Sequence, residues 1–151
     1  MGTGTGWANV SSGYSHSCAT RTDQTAWCWG YNRYGQLGLG DKIDRTTPTQ
    51  VGTGTNWAQV NAGQLHTCAT RTDHTLWCWG YNAAGQLGLG DTTRPTIPTQ
   101  VGTGSDWANV NAGGFHTCGI RRNKTLWCWG YNGSGQLGLG DTVTRYQPSR
   151  V

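Results

Sequence analysis

The sequence lacks a membrane-spanning helix and the composition of a helical bundle. No run approaches the ~20 apolar residues of a membrane-spanning helix, so no membrane partner is expected. Phe and Met occur once each, and only 12% of residues are charged. A bundle would be richer in Leu, Ala, Glu and Lys. Basic stripes are missing too. The net charge is +4, from 11 basic and 7 acidic residues, and the one basic cluster is Arg121, Arg122 and Lys124. Nucleic-acid surfaces concentrate their cations in a stripe or patch, so no nucleic-acid partner is expected. The N-terminus carries no signal-peptide pattern. CxxC pairs, a common mark of zinc, are absent. No cofactor and no metal are expected.

What is present is glycine, tryptophan and repetition. There are 25 Gly, nine Trp and six Cys. Trp, Tyr, Thr and Val among frequent glycines suit short strands joined by tight turns. WCWGYNRYGQLGLGD at 27–41 returns as WCWGYNAAGQLGLGD at 77–91 and as WCWGYNGSGQLGLGD at 127–141. Val51, Val101 and Val151 stand fifty residues apart, as do Pro48, Pro98 and Pro148, with no insertion between copies. Met1 stands where the frame has Val, which reads as a start placed at a repeat boundary of an engineered or recently amplified chain.

Each copy reads as four strands. In the first copy they span Trp7–Ser12, His16–Arg21, Ala26–Tyr31 and Pro48–Val51, with a long Gly-rich loop at Asn32–Thr46. Proline cannot donate to a ladder, so Pro48 marks an edge strand. Four strands per period of about 50 residues describe a propeller blade. The expected fold is all-β, one repeat domain of three four-stranded blades at 2–51, 52–101 and 102–151. A β-solenoid is the alternative.

GYSHSCAT, AWCWGYNRYGQLGLGD and PTQV, in that order and three times over, resemble the regulator of chromosome condensation repeat family. The resemblance covers the whole chain and implies a β-propeller, typically of seven blades. It implies three classes of role: a protein-binding scaffold, as in secreted bacterial relatives that include a β-lactamase inhibitor; guanine-nucleotide exchange with chromatin docking; and ultraviolet-B sensing in plants. The exchange activity relies on an inserted wedge, and no insertion breaks this frame. In the family the turn after Asp23 usually carries Gly, whereas here it carries Gln24, His74 and Lys124. A left-handed backbone there costs about 1 kcal/mol per non-glycine residue.

A three-residue turn at Thr22–Gln24 sets Cys18 opposite Cys28, and likewise Cys68 opposite Cys78 and Cys118 opposite Cys128. Directly opposed antiparallel residues lie within disulfide range. Three disulfides are expected, and with them an extracellular, periplasmic or cell-surface setting. The alternatives are six buried thiols, zinc held by His16, Cys18 and Cys28, or a Cys–His nucleophile. No third orienting group accompanies the last, and no enzymatic activity is expected.

Strand alternation puts Trp27 and Trp29 on one blade face and Ala26 and Cys28 on the other. Trp77, Trp79, Trp127 and Trp129 follow suit, so a large face meets a small one between blades. His16, His66 and His116 are read as structural. A lectin-like alternative would use Tyr31, Tyr81 and Tyr131 beside Asn32, Asn82 and Asn132.

Variation between copies gathers in three segments. Tyr14-Ser15 becomes Gln64-Leu65 and Gly114-Phe115; Arg33-Tyr34 becomes Ala83-Ala84 and Gly133-Ser134; Lys42–Thr47 becomes Thr92–Ile97 and Thr142–Gln147. Loops after the first and third strands of a blade lie at the same end, so the variable residues share one face. With Arg94, Phe115, Arg145 and Tyr146, they form the expected face for a protein partner. Propellers close with about four to eight blades. Three blades leave two faces open, and a homodimer closing a six-bladed ring is expected. A fragment of a larger propeller is the alternative.

Overall fold

The structure is a computed structural model describing residues 5–151. Twelve strands form three four-stranded antiparallel sheets. The first holds β1 (Trp7–Ser12), β2 (His16–Arg21), β3 (Ala26–Gly30) and β4 (Arg45–Gln50). The second holds β5 (Trp57–Ala62), β6 (His66–Arg71), β7 (Leu76–Gly80) and β8 (Thr99–Gln100). The third holds β9 (Trp107–Ala112), β10 (His116–Arg121), β11 (Leu126–Gly130) and β12 (Arg145–Arg150). Each sheet is a meander in chain order, with no strand exchanged between copies. The first strands β1, β5 and β9 neighbour one another across the blades.

The hairpin register matches the sequence reading. Thr20 faces Ala26, Ala19 faces Trp27 and Cys18 faces Cys28. All three cysteine pairs are disulfide-bonded, each with a Cα–Cα distance of 4.1 Å. The sulfurs are therefore spent on each other rather than free for zinc or nucleophilic attack. Gln24, His74 and Lys124 all adopt the left-handed backbone, at φ of 63°, 66° and 69°. A local clamp offsets the strain. Asp23 Oδ1 accepts from both the backbone N–H and the hydroxyl of Thr25, whose Oγ1 in turn accepts Trp27 Nε1–H at 2.8 Å. The Gln24 carbonyl then accepts the N–H of Trp57, at the start of the next blade.

The outer strand differs from expectation. In the first and third blades it begins at Arg45 and Arg145, well before the proline. In the second it shrinks to Thr99–Gln100. The residue matching Arg45 is Pro95 there, which lacks the N–H a bridge needs. Gly80 still donates to the Pro95 carbonyl at 3.0 Å. β3 also ends one residue short of the expected Tyr31, because Gly30 turns the chain at φ 108°.

Blades pack large face against small. Cys18, Ala26, Cys28 and Leu37 of the first blade form one buried cluster with Trp57, Val60, Ala69 and Trp79 of the second. Cys68, Leu76, Cys78 and Leu87 repeat it with Trp107, Val110 and Trp129 of the third. An arginine caps each tryptophan pair: the Arg71 guanidinium lies 4.6 Å from the Trp57 ring and 3.9 Å from the Trp77 ring. Gly38 sits so close to Trp79 that a Cβ would stand 2.7 Å from Nε1, so only glycine fits.

Candidate functional site

The long loop is pinned from inside. Asn32 is fully buried; its Nδ2 donates to the Asp41 and Ile43 carbonyls and its Oδ1 accepts the Leu37 N–H. Asn82 and Asn132 repeat these bonds. These asparagines hold the loop from within and offer nothing to solvent, so a sugar site of the expected kind would have to do without them. With the loop so fixed, the residues at its tip are presented on a rigid base.

That base carries an aromatic row. Tyr31 and Tyr34 have ring centroids 6.3 Å apart, Tyr34 and Tyr81 4.9 Å, and Tyr81 and Phe115 6.1 Å. The row crosses all three blades. The Arg94 guanidinium lies 4.5 Å from the Tyr81 ring and 5.9 Å from the Tyr34 ring. No carboxylate pairs with Arg94 among the described residues. Tyr81, Ala83, Ala84, Phe115 and Tyr131 line an open cavity of about 420 Å³ between the second and third blades.

Of the other residues expected on this face, Ser15 and Leu65 adjoin the row, their carbonyls accepting the N–H groups of Tyr31 and Tyr81 at 2.9 Å. Tyr14 and Gln64 border a shallow depression beside the inner strands, with Gly13, Gly63 and Gly113. Ser15 and Arg33 are exposed, and Leu65 is half-buried. Arg145 is held by Asp141 at 2.6 Å. Tyr146 takes part in the blade seam, its carbonyl accepting the Gly90 N–H. Sequence reasoning places Tyr31, Tyr81 and Tyr131 only in the sugar reading, although their recurrence beside the variable 34/84/134 position signals a shared platform.

A second chemistry lies between blades. His16 Nε2 lies 2.8 Å from Thr67 Oγ1, and that hydroxyl donates to the Gln36 carbonyl at 2.7 Å. Since the hydroxyl proton is used, Nε2–H must be the donor and Nδ1 is unprotonated. Trp79 Nε1–H donates to the same carbonyl at 2.9 Å. His66, Thr117 and Gln86 repeat the relay. Burial lowers the His16 pKa to about 4. It lowers that of His66 to about 3, helped by the two neighbouring histidines. Burial also lowers that of His116, which is only half-buried because no further blade packs over it among the described residues. The sulfur beside the second relay, Cys68 Sγ at 4.0 Å from Thr117 Oγ1, is held in a disulfide, and the relay joins adjacent blades.

The Regulator of chromosome condensation (RCC1) repeat model matches residues 23–70, 73–120 and 125–151, and a second model of the same repeat matches 7–36, 57–86 and 107–136. The ultraviolet-B receptor UVR8 of Arabidopsis thaliana is 36% identical over 44 residues, covering 29% of this chain and 10% of the receptor. Human WBSCR16 superposes with a TM-score of 0.87 at 25% identity, over 100% of this chain and 39% of that one. Prp20p of Saccharomyces cerevisiae, whose binding to Gsp1p and histones is described with its structure, superposes with a TM-score of 0.86 at 22% identity, over 96% of this chain and 38% of its own. The chain thus spans well under half the length of these relatives.

Proposed function

We propose a function from one premise, that the chain belongs to the regulator of chromosome condensation (RCC1) repeat family: it is a non-enzymatic propeller scaffold that binds protein and closes its ring with a second copy of itself. The observation that carries the closure is the match between the two open ends. At the first blade, Trp7 is 40% and Val10 69% exposed, where Trp57 and Val60 of the second are 3% and 2%. At the third blade, Leu126 is 40% exposed, where Leu76 is 0%. One end is therefore the large face of a junction and the other is the small face.

The polar groups match as well. Among the described residues His116 has no side-chain partner. Ser17 stands at the position of Thr67, and Trp29 at that of Trp79. A second copy docked in the same register would let His116 donate to Ser17 Oγ and Ser17 donate to the Gln136 carbonyl, as at both internal junctions, with Trp29 placed as Trp79 is at the first of them. Two such junctions relate two chains by a twofold axis and complete six blades. Exposed apolar patches of this kind mark interaction sites.

The scaffold role draws on the family fold and on the loop-tip aromatics, and Prp20p's recorded protein partners are consistent with it. The three disulfides support an extracellular, periplasmic or cell-surface setting. Light scattering behind size exclusion in non-reducing buffer tests the closure. Twice the 16.3 kDa chain mass is expected. A single chain mass would overturn self-closure and favour a piece of a larger propeller.

A further inference from the structure

The row of aromatic rings contains its own experiment. Tyr34 fills the slot between the first two blades, wedged against Tyr31 on one side and Tyr81 on the other. Fifty residues on, the flanking tyrosines recur as Tyr81 and Tyr131, and the wedge is replaced by Ala84. The slot between the second and third blades is consequently open, and it is the cavity lined by Tyr81, Ala84, Phe115 and Tyr131. Phe115, which replaces the Leu65 of the preceding blade, adds a further ring to its wall. Phe115 is 38% and Tyr131 44% exposed, so the wall is apolar and wet. The slot continues an interface that the chain itself has already filled with an aromatic side chain.

We propose that this slot binds one aromatic side chain from an acidic segment of a partner polypeptide. The ring is specified by the precedent of Tyr34, whose edge-to-face contact with Tyr81 at 70° is a favourable geometry for aromatic pairs. The acidic flank is specified by charge. Arg94 lies over the Tyr81 ring with no carboxylate partner among the described residues. A carboxylate one residue from the inserted ring would pair with the guanidinium. A single ring-and-carboxylate anchor is the kind of contact that dominates small interfaces. The proposal rests on the protein-binding reading, but the slot lies within one chain. Its failure would leave ring closure untouched, and the failure of closure would leave the slot intact.

The test is an amide-resonance titration of the intact protein with three probes: acetyl-Glu-Tyr-Glu-amide, its Ala-centred counterpart, and acetyl-Lys-Tyr-Lys-amide. The first should give saturable shifts at Tyr81, Phe115 and Tyr131, and the second none there. The third should bind about threefold more weakly, the scale of one exposed ion pair, and Arg94→Gln should erase that difference. Ala84→Tyr, which copies the first blade's wedge, should abolish the response and leave the remaining spectrum unchanged. Tyr34→Ala should add a new response around Tyr31. Equal shifts from the Ala-centred peptide, undiminished binding in Ala84→Tyr, or no saturable shift at the slot would each overturn the site. Equal affinity for the Glu and Lys probes would overturn the acidic partner.

Discussion

Val10 and Val60 are the same residue at the same place in two copies of one repeat, yet the first is 69% exposed and the second 2%. Trp7 and Trp57 differ likewise, as do Leu126 and Leu76. The strand pairing around them is the same in each blade. The difference lies entirely in what stands alongside. A blade makes its own ladders and its own disulfide, but it cannot bury its own faces. Repeat proteins of this kind draw stability from both intrinsic and neighbour terms, and the end blades show the neighbour term removed.

The comparison can be broken most sharply at Trp79. Trp79→Ala should cost about 3–5 kcal/mol in urea denaturation, with loss of its bond to the Gln36 carbonyl. Trp29→Ala should cost much less in a separated chain and as much in a closed ring. Equal losses in a separated chain would mean that the end blade is not lacking a neighbour.

The disulfides should behave in the opposite way. Replacing Cys68 and Cys78 together by Ala should lower stability by about 3 kcal/mol. The same change at Cys18 and Cys28 should cost a similar amount, because each link closes a hairpin within one blade. A large difference between the two pairs, read from denaturant midpoints, would make the link a junction device rather than a local one.

Acid should act at the junctions. His16 and His66 have folded pKa values near 4 and 3, below the ordinary 6.5. Between those limits the unfolded chain binds more protons, so stability falls as pH drops below about 6.5, by up to about 1.4 kcal/mol per pH unit for each histidine. Above that range the contribution is fully present. Thermal midpoints against pH should lose this slope when both histidines are changed to Gln. Closure of the ring should bring His116 toward the behaviour of His66.

Smaller effects sharpen the same contrast. Val60→Ala should cost about 2 kcal/mol, and Val10→Ala less than about 0.5 kcal/mol in a separated chain. His74→Gly should raise stability by up to about 1 kcal/mol by relieving its φ of 66°. A loss instead would show that the side chain contributes more than its strained backbone costs.

Much of this architecture was legible in the residues. The fifty-residue frame gave three equivalent units, the turn length gave the Cys18–Cys28 register, and period-two alternation gave the large and small faces. The departure from glycine after Asp23 gave a strained turn. Less could be read of the loop. Nothing local says that Asn32 points inward, since asparagine serves equally at the surface; its burial follows from carbonyls that the folded loop turns toward it. The shortened β8 was readable from Pro95 in principle, but the strand it interrupts began earlier than Pro48 suggested.

The sequence by itself determined the blade, because hydrogen-bond pairing, turn closure and side-chain alternation are all settled by neighbours within a few tens of residues. Tertiary structure decided which faces are buried and which rings meet. Tyr34 and Tyr81 lie forty-seven positions apart, in the loops of different blades; their contact depends on the angle at which one blade docks on the next. That angle comes from the fit of tryptophans against cysteines and alanines across the junction, a property of two blades together.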